Sequence, residues 1–438
     1  MMMNWAQLLT PHRSHHELTG TPESGRSHFH KDHDRIVFSS AFRRLGRKTQ
    51  VHPLSLNDHI HTRLTHSIEV GSVGRSLGIM AGEAMADELP PWITPADLGA
   101  IVQAACLAHD IGHPPFGHAG EYAVRDFFRR HRGSALLAEL SPEERDDLCT
   151  FEANAHGFRV VTQTEYHQFE GGMRLTYPTL GALMKYPWTS VHAGIKEKFG
   201  CYQSERQQLH EVAQKLGLLP ENTDKYCRHP LCFLLEAADD ICYTILDLED
   251  ALELNILQYA DVEQTLLQLC GWETPHEYAQ DSSLSPRRRI SAFRGRAMER
   301  MLVSALQAFL AHKNAMLAGS YHGELLLDGD SDVAAGVRAG KKLAYEKVFR
   351  NARKSELEIG AFSTIGTLLD VFCHAVYEQH SLPSPSFRYR RVLDLMGGNA
   401  PAREQPLYHA YMRVLDYVAG MTDQYATYLA HQIGGMAR

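Results

Sequence analysis

Apolar positions recur at helical spacing along most of the chain. Leu64, Ile68, Val73, Leu77, Met80 and Ala84 fall at steps of three to five and predict a helix over 64–84. Thr94-Pro95-Ala96-Asp97 reads as an N-cap, a first-turn proline and an acid that closes a capping box. Leu98, Ile101, Val102 and Ala105 supply the buried face of that second helix, which must stop by Gly112 and Pro114-Pro115. After Pro230, Leu231, Leu234, Ala238, Ile241, Ile245, Leu248 and Leu252 alternate steps of three and four as one apolar seam. Further helices are expected around 120–131, 152–164, 205–216, 262–270, 290–317, 342–355, 363–378 and 405–432. Strand-type alternation is scarce, with Gly323–Leu327 the one weak case, and loops are expected at 11–33, 52–60, 166–176, 272–288, 328–334 and 381–388. The expected fold class is all-α: one large helical domain with a C-terminal helical extension from about residue 261.

Composition narrows the class without naming a chemistry. Hydrophobic residues at 44% and charged residues at 22% fit a globular chain and exclude wholesale disorder. A net charge of −8 gives no sign of a bulk-basic nucleic-acid binder. No pair of the eight cysteines has C-x-x-C spacing, so neither a zinc ribbon nor a dithiol redox site is indicated, and scattered buried thiols fit a reducing compartment. Met1–Thr10 lacks a basic stretch leading into an apolar one, and no run approaches the ~20 apolar residues of a membrane helix, so a cytoplasmic protein with no membrane contact is expected.

Histidine, at 26 residues, is the outlier. His109-Asp110 ends a predicted helix, and an imidazole beside a carboxylate suits a divalent cation such as Mn²⁺ or Mg²⁺, with Fe²⁺ as an alternative. A lone His-Asp pair is more often a helix-end hydrogen bond, and Asp239-Asp240 alone is usually a solvated face. The order His66, His109-Asp110, Asp239, on three predicted helices, instead offers four ligands converging inside a bundle. Asp239 flanks the apolar seam, and Asp239, Tyr243 and Asp247 share one face at i, i+4, i+8.

Seven blocks carry a resemblance: Asp34–Leu45, Lys48-Thr49-Gln50-Val51, Arg63-Leu64-Thr65-His66-Ser67, His109–His118, Phe151–Ala155, Glu236–Ile241 and Val418–Asp423. Together they resemble the HD-superfamily deoxynucleoside triphosphate triphosphohydrolases, the dGTPase-like family, over about residues 34 to 425. The resemblance implies an HD-domain core over 34–260, an N-terminal segment 1–33 in oligomer contacts, and a C-terminal region 261–438 completing the fold and the oligomer interface. It implies His66, His109, Asp110 and Asp239 as metal ligands, and hydrolysis of a dNTP, foremost dGTP, to deoxynucleoside and inorganic triphosphate.

The same resemblance assigns the remaining roles. His118, folded back by the Pro114-Pro115-Phe116-Gly117 turn, is the expected general acid for the leaving 5′ oxygen, with Glu121 orienting it and His113 as a second candidate nearer to a phosphate contact. Arg63 and Lys185, the latter with Tyr186, are the expected phosphate ligands. Tyr243 is expected against the deoxyribose, with Asp247 and Gln50 reading its 3′ hydroxyl. A homo-oligomer, with a hexamer favoured, is implied, and a nucleotide effector or single-stranded DNA is a further partner the family admits. The Arg287-Arg288-Arg289 run, with Arg294 and Arg296, reads first as a solvated helix start. His156 is expected at the surface or behind the site. His15-His16, His28, His30, His33, His59 and His61 are placed in loops without a role. Two other readings stay open: another HD phosphohydrolase, a nucleotidase or phosphodiesterase, or a nucleotide- or nucleic-acid-binding protein with a vestigial site.

Overall fold

The computed structural model describes residues 2–14, 25–51, 57, 59–165, 171–272, 281, 283–348 and 351–435, without the side chains of 352 and 353. The N-terminal part contributes α1 (Trp5–Leu8), α2 (His28–Val37) and α3 (Ser40–Arg44). Next come the long pair α4 (Arg63–Ala84) and α5 (Pro95–Ala108), then α6 (His118–Arg130), α7 (Pro142–Cys149), α8 (Ala153–Arg159), α9 (Tyr177–Leu183) and α10 (Arg206–Leu216). The rest is α11 (Pro230–Glu253), α12 (Tyr259–Cys270), α13 (Pro286–Leu317), α14 (Ser331–Leu343), α15 (Ala352–Ser381), α16 (Phe387–Met396), α17 (Leu407–Ala419) and α18 (Asp423–Ile433). Among the described residues the one sheet is a small antiparallel pair, β1 (Pro220–Asn222) and β2 (Lys225–Tyr226). The fold class is all-α, as the periodicity predicts.

Two buried clusters hold these helices. The first gathers α1, α4, α5 and α9 to α14, so residues on both sides of position 261 feed it. The second joins α6 and α7 to α15, α17 and α18, with Phe128, Phe372 and Tyr411 fully buried in it. The segment between α5 and α6 passes from one cluster to the other, and that passage carries the candidate chemistry.

The pair α4/α5 sets the first half of the site. Thr62 caps α4 and Thr94 caps α5, each with both capping-box bonds; Thr94 Oγ1 accepts from the Asp97 amide at 3.2 Å and Asp97 Oδ2 accepts from the Thr94 amide at 2.9 Å. The inner face of α4 keeps only the Val73 and Leu77 part of the stripe that periodicity suggests. Ile68 is exposed and Met80 half-buried, while Val70, Val73, Leu77 and Ala81 are buried. The reason is a line of glycines. A Cβ on Gly78 would lie 2.7 Å from the Leu98 carbonyl, and one on Gly74 would lie 2.5 Å from Cys106 Sγ, so the α4 backbone meets the α5 backbone at Gly78 and an α5 side chain at Gly74.

Other expectations change in register. The single helix expected over 405–432 is two, because Gly420 ends α17 and Thr422 caps α18. The helix expected over 342–355 is instead the end of α14, a wide turn over 344–348 and the start of α15. Gly323–Leu327 forms turns and no strand, and the hairpin of β1 and β2 lacks an alternating signal. His28, His30 and His33 lie on α2, capped by Ser27, and not in a loop; His15-His16 fall outside the described residues. His156 is buried against Phe151, which removes the surface alternative of its two expected placements. Among the described residues one helix is long and apolar enough to cross a membrane, Lys354–Ser381. Its Ile365, Leu368, Phe372, Cys373 and Val376 are buried in the second cluster, as in a core helix. The N-terminal segment packs on its own chain through Trp5, Leu8 and Leu9, and all eight cysteines are buried and unbridged.

Candidate metal and catalytic site

His66 lies in the first turn of α4, His109 and Asp110 follow the last residue of α5, and Asp239 lies in the third turn of α11. The ligand atoms of His66, His109 and Asp239 all fall within 4.8 Å of one another. Nε2 of His66 stands 3.1 Å from Asp239 Oδ1, and Nε2 of His109 stands 3.6 Å from the same oxygen. Asp110 lies beside this triple, its Oδ1 3.5 Å from His109 Nε2. Both acids divide their oxygens alike. Asp239 Oδ2 accepts from Lys185 Nζ at 2.8 Å and Asp110 Oδ2 from Arg63 at 2.7 Å, which leaves each Oδ1 on the imidazole side.

The protonation pattern suits a cation. His109 Nδ1 lies 2.6 Å from the Cys106 carbonyl, which can only accept, so Nδ1 carries the proton and Nε2 presents a lone pair. Burial also lowers the His109 pKa. Burial works against ionising Asp239, but Lys185, His109 and His66 hold its pKa well below the usual carboxylate range. Asp110 is likewise opposed by burial and held down by Arg63 and the neighbouring imidazoles. His66 goes the other way: burial lowers it, but the Asp239 hydrogen bond and the charges of Asp239, Asp110 and Asp247 together raise it. Imidazole nitrogens with ionised carboxylate oxygens fit a hard or borderline divalent ion.

A second group adjoins the first. Phe116, at φ +64°, and Gly117, at φ +57°, reverse the chain after Pro114-Pro115 and start α6 at His118. His118 Nδ1 lies 2.6 Å from Glu121 Oε2, while Glu121 Oε1 accepts from the Ala153 amide at 2.8 Å. The His118 side chain is 72% exposed and that of Glu121 only 3%, so a buried carboxylate orients an accessible imidazole. Burial raises the Glu121 pKa, but His118, with His113 and Lys198 behind it, lowers it, and the net shift is downward. His113 links the two groups. Its Nδ1 is 3.1 Å from Asp110 Oδ1, its ring is 5.7 Å from that of His118, and burial with Arg63 pulls its pKa down to about 4.

The expected substrate residues are placed as follows. Lys185 and Tyr186 line a cavity of about 350 Å³ beside Asp239. Arg63 and Lys185, expected on phosphates, stand here on the two carboxylates. Asp247 is buried on α11, burial pushes its pKa up to about 7, and its Oδ2 has no hydrogen-bond partner among the described residues. Tyr243 is half-buried four residues before it, its hydroxyl pKa raised by burial. Gln50, in the segment before α4, has a buried Oε1 without a partner among the described residues. Arg287 and Arg288 are exposed at the start of α13 and Arg289 sits 3.8 Å over the Tyr259 ring, as befits a solvated helix start. Sequence reasoning missed Lys196, Arg228, His322 and Lys341 on the same cavity. Lys341 pairs with Asp240 at 3.1 Å, and the doubled acid of Asp239-Asp240 was the one local sign of a cationic neighbour.

An all-α bundle that brings a histidine, a His-Asp pair and a distant aspartate together has the form of an HD-domain phosphohydrolase. The HD domain family model matches residues 63–182, and the phosphohydrolase-associated domain model matches residues 327–432. A deoxyguanosinetriphosphate triphosphohydrolase-like protein of Pseudomonas aeruginosa (strain LESB58) is 52% identical over 99% of both chains. One of the same name from Synechocystis is 38% identical over 99% of this chain and 100% of its own. The deoxyguanosinetriphosphate triphosphohydrolase of Klebsiella pneumoniae (strain 342) is 31% identical over 91% of this chain and 92% of its own. The chain belongs to the deoxyguanosinetriphosphate triphosphohydrolase-like family, and it is an HD-domain hydrolase.

Proposed function

We propose that this hydrolase is a metal-dependent dNTP triphosphohydrolase that takes dGTP to deoxyguanosine and inorganic triphosphate. The observation that supports it most is the meeting of His66, His109 and Asp239 within 4.8 Å, flanked by Lys185 on one side and by the His118–Glu121 pair on the other. His66, His109, Asp110 and Asp239 would hold the cation, Mn²⁺ or Mg²⁺ with Fe²⁺ as the alternative. When bound, such an ion supplies positive charge to the α-phosphate and to the attacking water.

The chain's own residues account for the rest. Phosphoryl transfer asks the protein mainly for positioning and charge. Lys185 and Arg63 offer ammonium and guanidinium groups to phosphate oxygens in exchange for their present carboxylates. Glu121 accepts from His118 Nδ1, so His118 can hold a proton at Nε2 for the departing 5′ oxygen. Neutral His113 serves as a phosphate contact. The unpartnered oxygens of Asp247 and Gln50 are acceptors suited to a sugar hydroxyl, with Tyr243 on the same face of α11 as Asp247. The reading assigns the chemistry to residues 34–260, leaves residues 261–438 to complete the fold, and extends to a homo-oligomer, favoured as a hexamer.

Incubating the purified protein with each dNTP and Mn²⁺ or Mg²⁺, then identifying the products, tests the reading. Inorganic triphosphate with the deoxynucleoside is expected, fastest from dGTP. Release of orthophosphate, or of a monophosphate with pyrophosphate, would replace it with another phosphohydrolase activity.

A further inference from the structure

The turn that launches His118 is held by residues far from it in sequence. Asp423, the first residue of α18, accepts from the Phe116 amide through Oδ1 at 3.0 Å. Through Oδ2 it accepts from the Thr49 amide at 3.0 Å and the Thr49 hydroxyl at 2.7 Å. Lys48, 3% exposed, donates from Nζ to the His113 carbonyl at 2.6 Å and to the Ala419 carbonyl, at the end of α17, also at 2.6 Å. The grip falls where the backbone needs one. Phe116 and Gly117 both have positive φ, a conformation that a non-glycine residue such as Phe116 keeps only when its surroundings impose it. On the opposite side the Arg63 guanidinium lies against Gly117, 2.5 Å from where a Cβ would stand.

We infer that Lys48 and Asp423 are positioning residues that clamp the 113–118 turn from the C-terminal region, so that His118 and His113 are set by α17 and α18 rather than by the metal-bearing helices alone. This rests on the triphosphohydrolase reading for the role of His118, and it goes beyond that reading by giving the C-terminal helices a part in the chemistry. Neither residue touches the cluster of His66, His109 and Asp239; each acts through main-chain groups of the turn. With one carboxylate oxygen of Asp423 replaced by an amide NH2, only one of the two backbone amides, that of Phe116 or that of Thr49, keeps its acceptor, since Asn has a single acceptor oxygen.

The test compares wild type, Asp423→Asn, Lys48→Met and the combination of Asp423→Asn with His118→Ala, in the full chain. Turnover, bound Mn²⁺ and amide hydrogen exchange over 110–121 are measured for each. We expect Asp423→Asn to lower kcat by about tenfold to hundredfold with KM and Mn²⁺ content unchanged, as a small misplacement of a reacting group does. In the His118→Ala background the same change should cost less than about twofold, because the two act as one unit. Exchange at the turn should speed up while that of α11 stays put. Lys48→Met should repeat the pattern, and it carries the test should Asp423→Asn not fold. A kcat within about twofold of wild type, an equal loss in the His118→Ala background, or loss of Mn²⁺ together with rate would overturn the clamp. Wild type without dNTP hydrolysis would instead sink the triphosphohydrolase reading, and the exchange measurement would still decide the clamp.

Discussion

At the scale of single residues, the site is a set of buried polar groups whose charges are fixed by their partners. Glu121 and His118 illustrate it, one deeply buried and one open to solvent, joined at 2.6 Å. We expect His118→Ala to reduce dNTP turnover by about 10²- to 10⁴-fold while leaving Mn²⁺ binding as in wild type; a loss of metal together with rate would mean that His118 is a ligand. A second prediction concerns acid lability. His229 Nδ1 accepts from the Leu231 amide at 3.1 Å and its Nε2 donates to the Leu8 carbonyl at 3.0 Å, so the neutral imidazole is fully bonded and burial takes its pKa down to about 4. His156 is lowered to about 4 as well, again by burial. A folded-state pKa below the unfolded value means that the unfolded chain takes the proton first. The stabilisation is present above about pH 6.5 and is lost as pH falls toward 4. Urea midpoints measured across that window should fall with pH in wild type, and more shallowly, by up to about one proton, in His229→Gln; identical slopes would remove His229 from the account. The four ligand candidates were legible because their neighbours in sequence form recognisable blocks. Lys48 and Asp423 stood in quoted blocks too, yet their contacts join residues 65 to 374 positions apart, which no local pattern reports.

At the scale of elements, legibility followed capping and seam. Helix α5 announced itself through Thr94, Pro95 and Asp97, and α11 through an unbroken seam buried from Leu231 to Leu248. Helix α4 was found and Val73 and Leu77 of its stripe are buried, but the glycine part of its inner face was missed, because glycines bury backbone without an apolar side chain to mark it. Short helices such as α7 and α9 run too few turns for a period to show, and no proline marks the breaks at Gly420 and 344–348. The glycine line makes a prediction of its own. Gly78→Val places a side chain where the α5 backbone lies, and should cost roughly 1–3 kcal/mol by overpacking. Because α4 carries His66 and α5 leads into His109, Mn²⁺ affinity should weaken along with stability. Gly360→Ala on α15, where a Cβ meets nothing within 4 Å, should leave both intact or raise stability slightly. Equal behaviour of the two variants would contradict the close-packing account.

At the scale of the whole molecule, two buried clusters meet along the segment between α5 and α6, with α4, α5 and α11 offering ligands on one side and α6 offering His118 on the other. The helical class was readable from periodicity; the way residues 261–348 join the first cluster and residues 118–155 the second was not, since partner choice between amphipathic helices is settled by packing. Sedimentation should find a homo-oligomer at micromolar concentration, and a monomer under the same conditions would contradict that part of the reading. The account as a whole stands on one cation shared by His66, His109, Asp110 and Asp239. Calorimetric titration of the metal-free protein with Mn²⁺ tests that most directly, run beside His66→Ala and Asp239→Ala. One tight equivalent in wild type, lost in both variants while their melting temperatures hold, is the predicted result; binding in either variant as tight as in wild type would contradict it.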